Sequence, residues 1–91
     1  MMSEQIVETV NITIRNKSIL EDNAALGDAI EEALLKFNVD SYGVVNSVAE
    51  ADRSKCFIRV RYLYMEAVID KTETIYDYYF EASVVKEVGD E

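Results

Sequence analysis

The chain has 91 residues and a mass of 10.4 kDa, room for one domain with a modest core. Eighteen acidic residues against nine basic ones give a formal charge of −9 and a pI near 4.4, which argues against nucleic acid or anionic membrane as a ligand of the surface as a whole. No His is present, which removes the usual neutral-pH general base and every Ser/His or Cys/His dyad, and a single cysteine, Cys56, cannot close an internal disulfide.

In chain order, Glu4 to Arg15 predicts a strand. Val10, Ile12 and Ile14 alternate with Asn11, Thr13 and Arg15, the period of two that sets an apolar row against a core. Ile6 is placed on the same row, with Glu8 as its exception. Ser18-Ile19-Leu20-Glu21 has the spacing of a capping box, in which the hydroxyl and the carboxylate each take a free backbone N–H, so a helix is expected to begin there. Ile19, Leu26, Ile30, Ala33, Leu34 and Phe37 fall on one stripe of that helix, with Glu21, Asp28 and Glu32 on another face and Asn38 as its stop. Gly27 costs about 1 kcal/mol relative to Ala inside a helix, which implies either a close approach or local weakness.

Asp40-Ser41-Tyr42-Gly43 reads as a turn, Val44 to Ala49 as a second strand and Ala51-Asp52-Arg53-Ser54 as another turn. Cys56 to Met65 alternates most cleanly of all. Asp70-Lys71-Thr72 reverses the chain, and Thr74 to Val85, rich in aromatic and β-branched residues, is the last strand. The predicted order is β-α-β-β-β, an α+β two-layer domain: a four-stranded, mainly antiparallel sheet with one helix on one face. It forms a single compact domain over 1–91, with 1–4 and 87–91 expected to fray.

A single helix leaves the other sheet face open to water or a partner. With Tyr62, Tyr64, Tyr76 and Tyr78 turned to the helix, the open face shows Phe57, Arg59, Arg61, Leu63, Met65, Ile75, Asp77, Tyr79, Glu81 and Val85. Cross-strand pairing of Arg59 and Arg61 with Asp77 and Glu81 is its structural reading, and self-association its functional one. Arg53, Lys55, Arg59 and Arg61 share one parity, which would suit phosphate, although no glycine-rich phosphate loop accompanies them. The helix acids either form a solvated face, with Glu32 paired to Lys36, or imitate a row of phosphates. At 1.5 Å rise per residue, Glu21 to Asp28 spans about 10 Å and Asp28 to Glu32 about 6 Å. The carboxylate groups Glu50 with Asp52, and Asp70, Glu73 and Asp77, lack the calcium-loop pattern, so no metal or other cofactor is expected.

These features together predict a small acidic interaction protein and no enzyme. It would inhibit or modulate a partner by occluding a basic, nucleic-acid-binding surface, as a DNA mimic does and as small viral counter-defence proteins do. Glu21, Asp28 and Glu32 are the expected contacts to that protein partner, with no direct binding of nucleic acid or membrane. Phe57, Arg59, Arg61, Leu63, Met65, Asp77, Tyr79 and Glu81 are the expected contacts of a homo-oligomer. The alternative is a homo-oligomeric small-ligand or nucleotide binder, or a structural assembly subunit. The start, Met1 to Ile6, has no basic segment leading into an apolar one, and no apolar run approaches the ~18 residues of a membrane span, so the cytoplasm is the expected compartment.

Overall fold

Period-two alternation produces the three longest elements. The computed structural model describes residues 2–19 and 22–89, with β1 at Met2–Asn16, α1 at Asp22–Lys36, a 3-10 helix at Glu50–Lys55, β2 at Cys56–Asp70 and β3 at Glu73–Gly89. Both strand pairings are antiparallel and the order is β1-β3-β2, so the last strand in sequence is the middle one in space. The β2–β3 hairpin turns through Lys71, whose φ of 58° is left-handed. The β1–β3 ladder runs from Met2 opposite Gly89 to Asn16 opposite Tyr76, further out at its first end than the polar tail suggests.

The fold is α+β, but the sheet has three strands among the described residues and not the expected four. Val44 to Ala49 is not a strand. Val45 makes one isolated bridge to Val39 and buries its side chain completely. Side chains take the neighbouring backbone groups: Asp40 Oδ1 accepts the N–H groups of Tyr42 and Val44 at 2.9 and 3.0 Å. The Arg53 guanidinium donates to the carbonyls of Val48 and Asn46 at 3.3 and 3.4 Å. Backbone satisfied locally in this way competes with ladder formation. Arg53 therefore pins a loop and does not extend a row of cations along β2.

The core is built on β3, whose Tyr78, Phe80, Ala82 and Val84 are buried together with Ile12 of β1, while Val10, Ile14, Ile58 and Val60 pack around them. From α1 the buried residues are Ala25, Ala29 and Ala33, followed by Phe37 beyond its end. That stripe is rotated from the expected one. Ile30 and Leu34 sit at its margin, 40% and 38% exposed, and Ile19 lies exposed ahead of the helix. Alanines four residues apart stack along one line and let the helix settle close to the sheet, with larger side chains flanking the contact. Burying Phe37, Tyr78 and Phe80 stabilises the fold by about 1.5–3 kcal/mol each.

The helix ends differ in how well the sequence announces them. The helix begins at Asp22, after the expected capping box: the Ser18 backbone N–H donates to Asn16 Oδ1 at 3.1 Å, a local turn that closes β1. Leu20 and Glu21 lie outside the described residues. At the other end Asn38 adopts φ 51°, its N–H reaching the Leu35 carbonyl at 3.2 Å and that of Val39 the Leu34 carbonyl at 2.9 Å. These are the two bonds of a Schellman stop. Gly27 is exposed, with nothing within 4 Å of the position of a Cβ, so it marks no close approach.

Each edge strand carries one irregularity against β3, at Val7 in β1 and at Leu63 in β2. One extra residue reverses the face of everything beyond it. Ile6 therefore stands opposite Val85 on the face away from α1, not on the row of Val10 and Ile12. In β2, Met65 stands opposite Tyr78 on the helix side and leaves the face expected for it, while Tyr64 and Glu66 take its place there. Leu63 is the bulged residue itself.

The strands are much longer than the helix. Fifteen to seventeen residues at ~3.3 Å span roughly 50 Å, against about 22 Å for α1. The radius of gyration is 15.9 Å, where a compact chain of this length has about 12 Å.

Candidate functional site

Bulges and register together write the face away from α1 as rows of three residues. Ile6, Val85 and Phe57 form an apolar row. Then follow Thr9, Ser83 and Arg59; Asn11, Glu81 and Arg61; Thr13, Tyr79 and Tyr64; and Arg15, Asp77 and Glu66. Asp77, Ser83 and Val85 are buried on this face although no helix covers it. Side chains of the two edge strands do the covering: Arg59 reaches across β3 to Glu4 at 2.8 Å, on a line that passes over Val85.

Three ion pairs cross this face, and Glu66 stands outside them. Arg15 donates from Nε and Nη2 to the two carboxylate oxygens of Asp77 at 2.8 and 2.9 Å, and Arg61 meets Glu81 at 2.9 Å. The expected pairing of Arg61 with Glu81 is present, whereas Arg59 goes to Glu4 and Asp77 to Arg15. The hydrogen bonds from Arg15 hold the Asp77 carboxyl below the usual carboxylate range against the opposing effect of desolvation, with the charge of Arg15 adding to them. Glu66 stands opposite Asp77, a like-charge pair in the ladder. The Tyr79 hydroxyl donates to Glu66 at 3.1 Å, which raises the Tyr79 pKa above its ordinary value, and the Tyr79 ring stacks on Tyr64 with centroids 4.6 Å apart. Among the described residues no buried side-chain nitrogen or oxygen lacks a partner.

Lys17 with Glu73 and Lys86 with Asp52 complete five ion pairs among the described residues, all but the last lying wholly within the sheet strands or their immediate ends. The helix is different. Asp28, Glu31 and Glu32 are exposed, and none of them joins an ion pair among the described residues; Glu32 and Lys36 do not form the expected one. With Leu35 they line one wall of a cleft of about 320 Å³ whose other wall is Thr13, Ile14 and Arg15 of β1. Arg15, the cation of that cleft, is committed to Asp77. The wall is therefore a run of unneutralised carboxylates beside the free edge of β1.

Of the expected partner contacts, Asp28 and Glu32 come together here and Glu21 lies outside the described residues. Glu31 was absent from the expected set, although it sits three residues after Asp28, a spacing that shares a helix face. Phe57, Arg59, Arg61, Asp77, Tyr79 and Glu81 do share the face away from α1, and Leu63 lines a pocket there with Asn11, Thr13, Tyr64 and Tyr79; Met65 does not share it, for the reason the bulge gives. Among the described residues no group of three or more Cys, Asp or Glu side chains is placed to hold a metal ion, and no helix is long and apolar enough to cross a membrane. No protein-family model matches the chain, and no curated protein or solved structure is significantly similar to it.

Proposed function

We propose that this chain is an acidic interaction protein that acts by occlusion, presenting Asp28, Glu31 and Glu32 to a basic, nucleic-acid-binding surface of a larger protein in the manner of a phosphate row. The observation that carries this reading is the division of charge. Arginine and lysine pair with four of the eight carboxylates of the strands, Glu4, Glu73, Asp77 and Glu81, while Asp28, Glu31 and Glu32 on the outer face of α1 join no ion pair among the described residues. An exposed, unscreened group of like charges steers a complementary partner and gives specificity and on-rate more than raw affinity. The ligand-binding alternative, a phosphate or nucleotide held by Arg59 and Arg61, would first have to break the bonds those residues make to Glu4 and Glu81.

The test compares three proteins as baits for cell lysate: wild type, the triple variant Asp28→Asn/Glu31→Gln/Glu32→Gln, and a charge-matched control, Glu50→Gln/Asp70→Asn/Glu87→Gln. All six positions are exposed, where substitutions usually cost within ~0.5 kcal/mol each. The expected result is a set of nucleic-acid-binding proteins retained by wild type and by the control and lost by the helix variant. Equal loss from both variants would reduce the effect to net charge and overturn the reading, as would equal retention by all three.

A further inference from the structure

The unpaired edge of β2 carries a second kind of information. Among the described residues β2 is hydrogen-bonded to β3 alone, and every residue from Arg61 to Ala67 is exposed, with Tyr62, Leu63 and Tyr64 at 47%, 42% and 55%. Edge strands of this length are ordinarily blunted by proline, charged side chains, a bulge or a covering segment. β2 contains neither proline nor lysine; what it carries on that edge is the bulge at Leu63 and two charges of each sign, Arg59 and Arg61 before the bulge and Glu66 and Asp70 after it.

We infer that β2 is the self-association edge of this protein: a second copy pairs antiparallel with it about a two-fold axis at the bulge, between Leu63 and Tyr64, making one continuous six-stranded sheet. Residues directly opposite in an antiparallel pair share a face. In a regular strand a two-fold therefore matches residues of equal parity, but the bulge at Leu63 inverts the faces beyond it. Arg61 and Glu66 stand on the same face, opposite Glu81 and Asp77, and Tyr62 and Met65 on the other, opposite Phe80 and Tyr78. An axis at the bulge brings Arg61 opposite Glu66 of the partner subunit, twice over, and Tyr62 opposite Met65 of the partner subunit. Two axes elsewhere on the strand do worse: one through Val60 sets Arg59 against Arg61 of the partner subunit, and one through Val68 sets Glu66 against Asp70 of the partner subunit. Like charges directly opposite are destabilising. Of these three axes, the one at the bulge alone sets opposite charges against each other on a shared face. The axis is perpendicular to the sheet, so both helices fall on the same side and their acidic faces stay clear of the junction. This inference does not rest on the occlusion reading.

Sedimentation of the purified protein from about 1 to 100 μM, with circular dichroism to confirm folding, tests it. Wild type is expected to be a dimer. Arg61→Glu and Glu66→Arg each place two like-charge contacts across the axis and are expected to weaken the dimer at least about tenfold. A mixture of the two variants restores both contacts and is expected to form a heterodimer, which no parallel or one-sided contact would do. Arg61 also pairs with Glu81 in its own chain; should Arg61→Glu fail to fold, the Glu66→Arg variant carries the test alone. A wild type that stays monomeric throughout the range, a Glu66→Arg variant that dimerises like wild type, or a mixture of folded variants that stays monomeric would each overturn the proposal.

Discussion

Asp77 is where the chemistry of single residues is most exposed to measurement. Its carboxylate is buried on a sheet face that no helix covers, and Arg15 is what makes that tolerable. Hydrogen bonds depress its folded-state pKa, as they do for Asp40, held chiefly by the Val44 N–H, and for Asp52, held chiefly by Lys86. A depressed carboxylate contributes stability that is present above its unfolded pKa of about 3.9 and is lost as pH falls through the lower folded value. With no His to titrate, melting temperature is expected to be nearly flat from about pH 6 to 8 and to fall below about pH 4. Arg15→Gln is expected to lower the melting temperature at pH 7 and to flatten the acid limb, because Asp77 no longer resists protonation. Thermal melts across pH decide it; an acid limb as steep as that of wild type would show that Arg15 does not set the Asp77 pKa. Tyr79 runs the opposite way. Its raised pKa contributes stability present below about 10 and lost as pH rises through the folded value.

At the scale of elements, what could be read from the sequence followed from how far along the chain a signal was repeated. β2 and β3 alternate for many residues and were legible, as was the stop at Asn38, where one residue type suits a left-handed backbone. Val44 to Ala49 was not, because a short apolar run does not say whether its backbone will find a ladder, and here Asp40 and Arg53 had already claimed it. The bulges at Val7 and Leu63 were equally silent: neither uses glycine, and each is a property of the pairing, not of the strand alone. Misreading one of them moved Tyr64 and Met65 to the wrong faces. The helix offers a paired prediction. Gly27→Ala, at an exposed position with open space, is expected to stabilise by about 0.5–1 kcal/mol. Asn38→Ala, at φ 51°, is expected to destabilise by about 1 kcal/mol. For a domain of this size 1 kcal/mol moves the melting temperature by about 4–8 °C, so two melts beside wild type suffice. A stabilising Asn38→Ala or a destabilising Gly27→Ala would contradict the account of α1.

Across the whole molecule, the extents of 58 × 26 × 18 Å describe a long sheet under a short helix. The net charge of −9 is spread unevenly over it. Ion pairs bind much of the sheet's charge locally, whereas Asp28, Glu31 and Glu32 project it outward beside the free edge of β1. Composition alone made the excess of acid legible, but not its location, which depends on which carboxylates the strand register delivers to an arginine. Binding through this face is expected to weaken with added salt, since screening limits the reach of surface charge to about 8 Å at physiological ionic strength. Carboxylate footprinting locates the contact directly. The protein, alone and in complex with the most abundant lysate protein it retains, is amidated with a carbodiimide and glycine ethyl ester and mapped by mass spectrometry. Protection of Asp28, Glu31 and Glu32 in the complex, with Glu50, Asp70 and Glu87 labelled as in the free protein, is the predicted result; full labelling of the three helix carboxylates in the complex would contradict it.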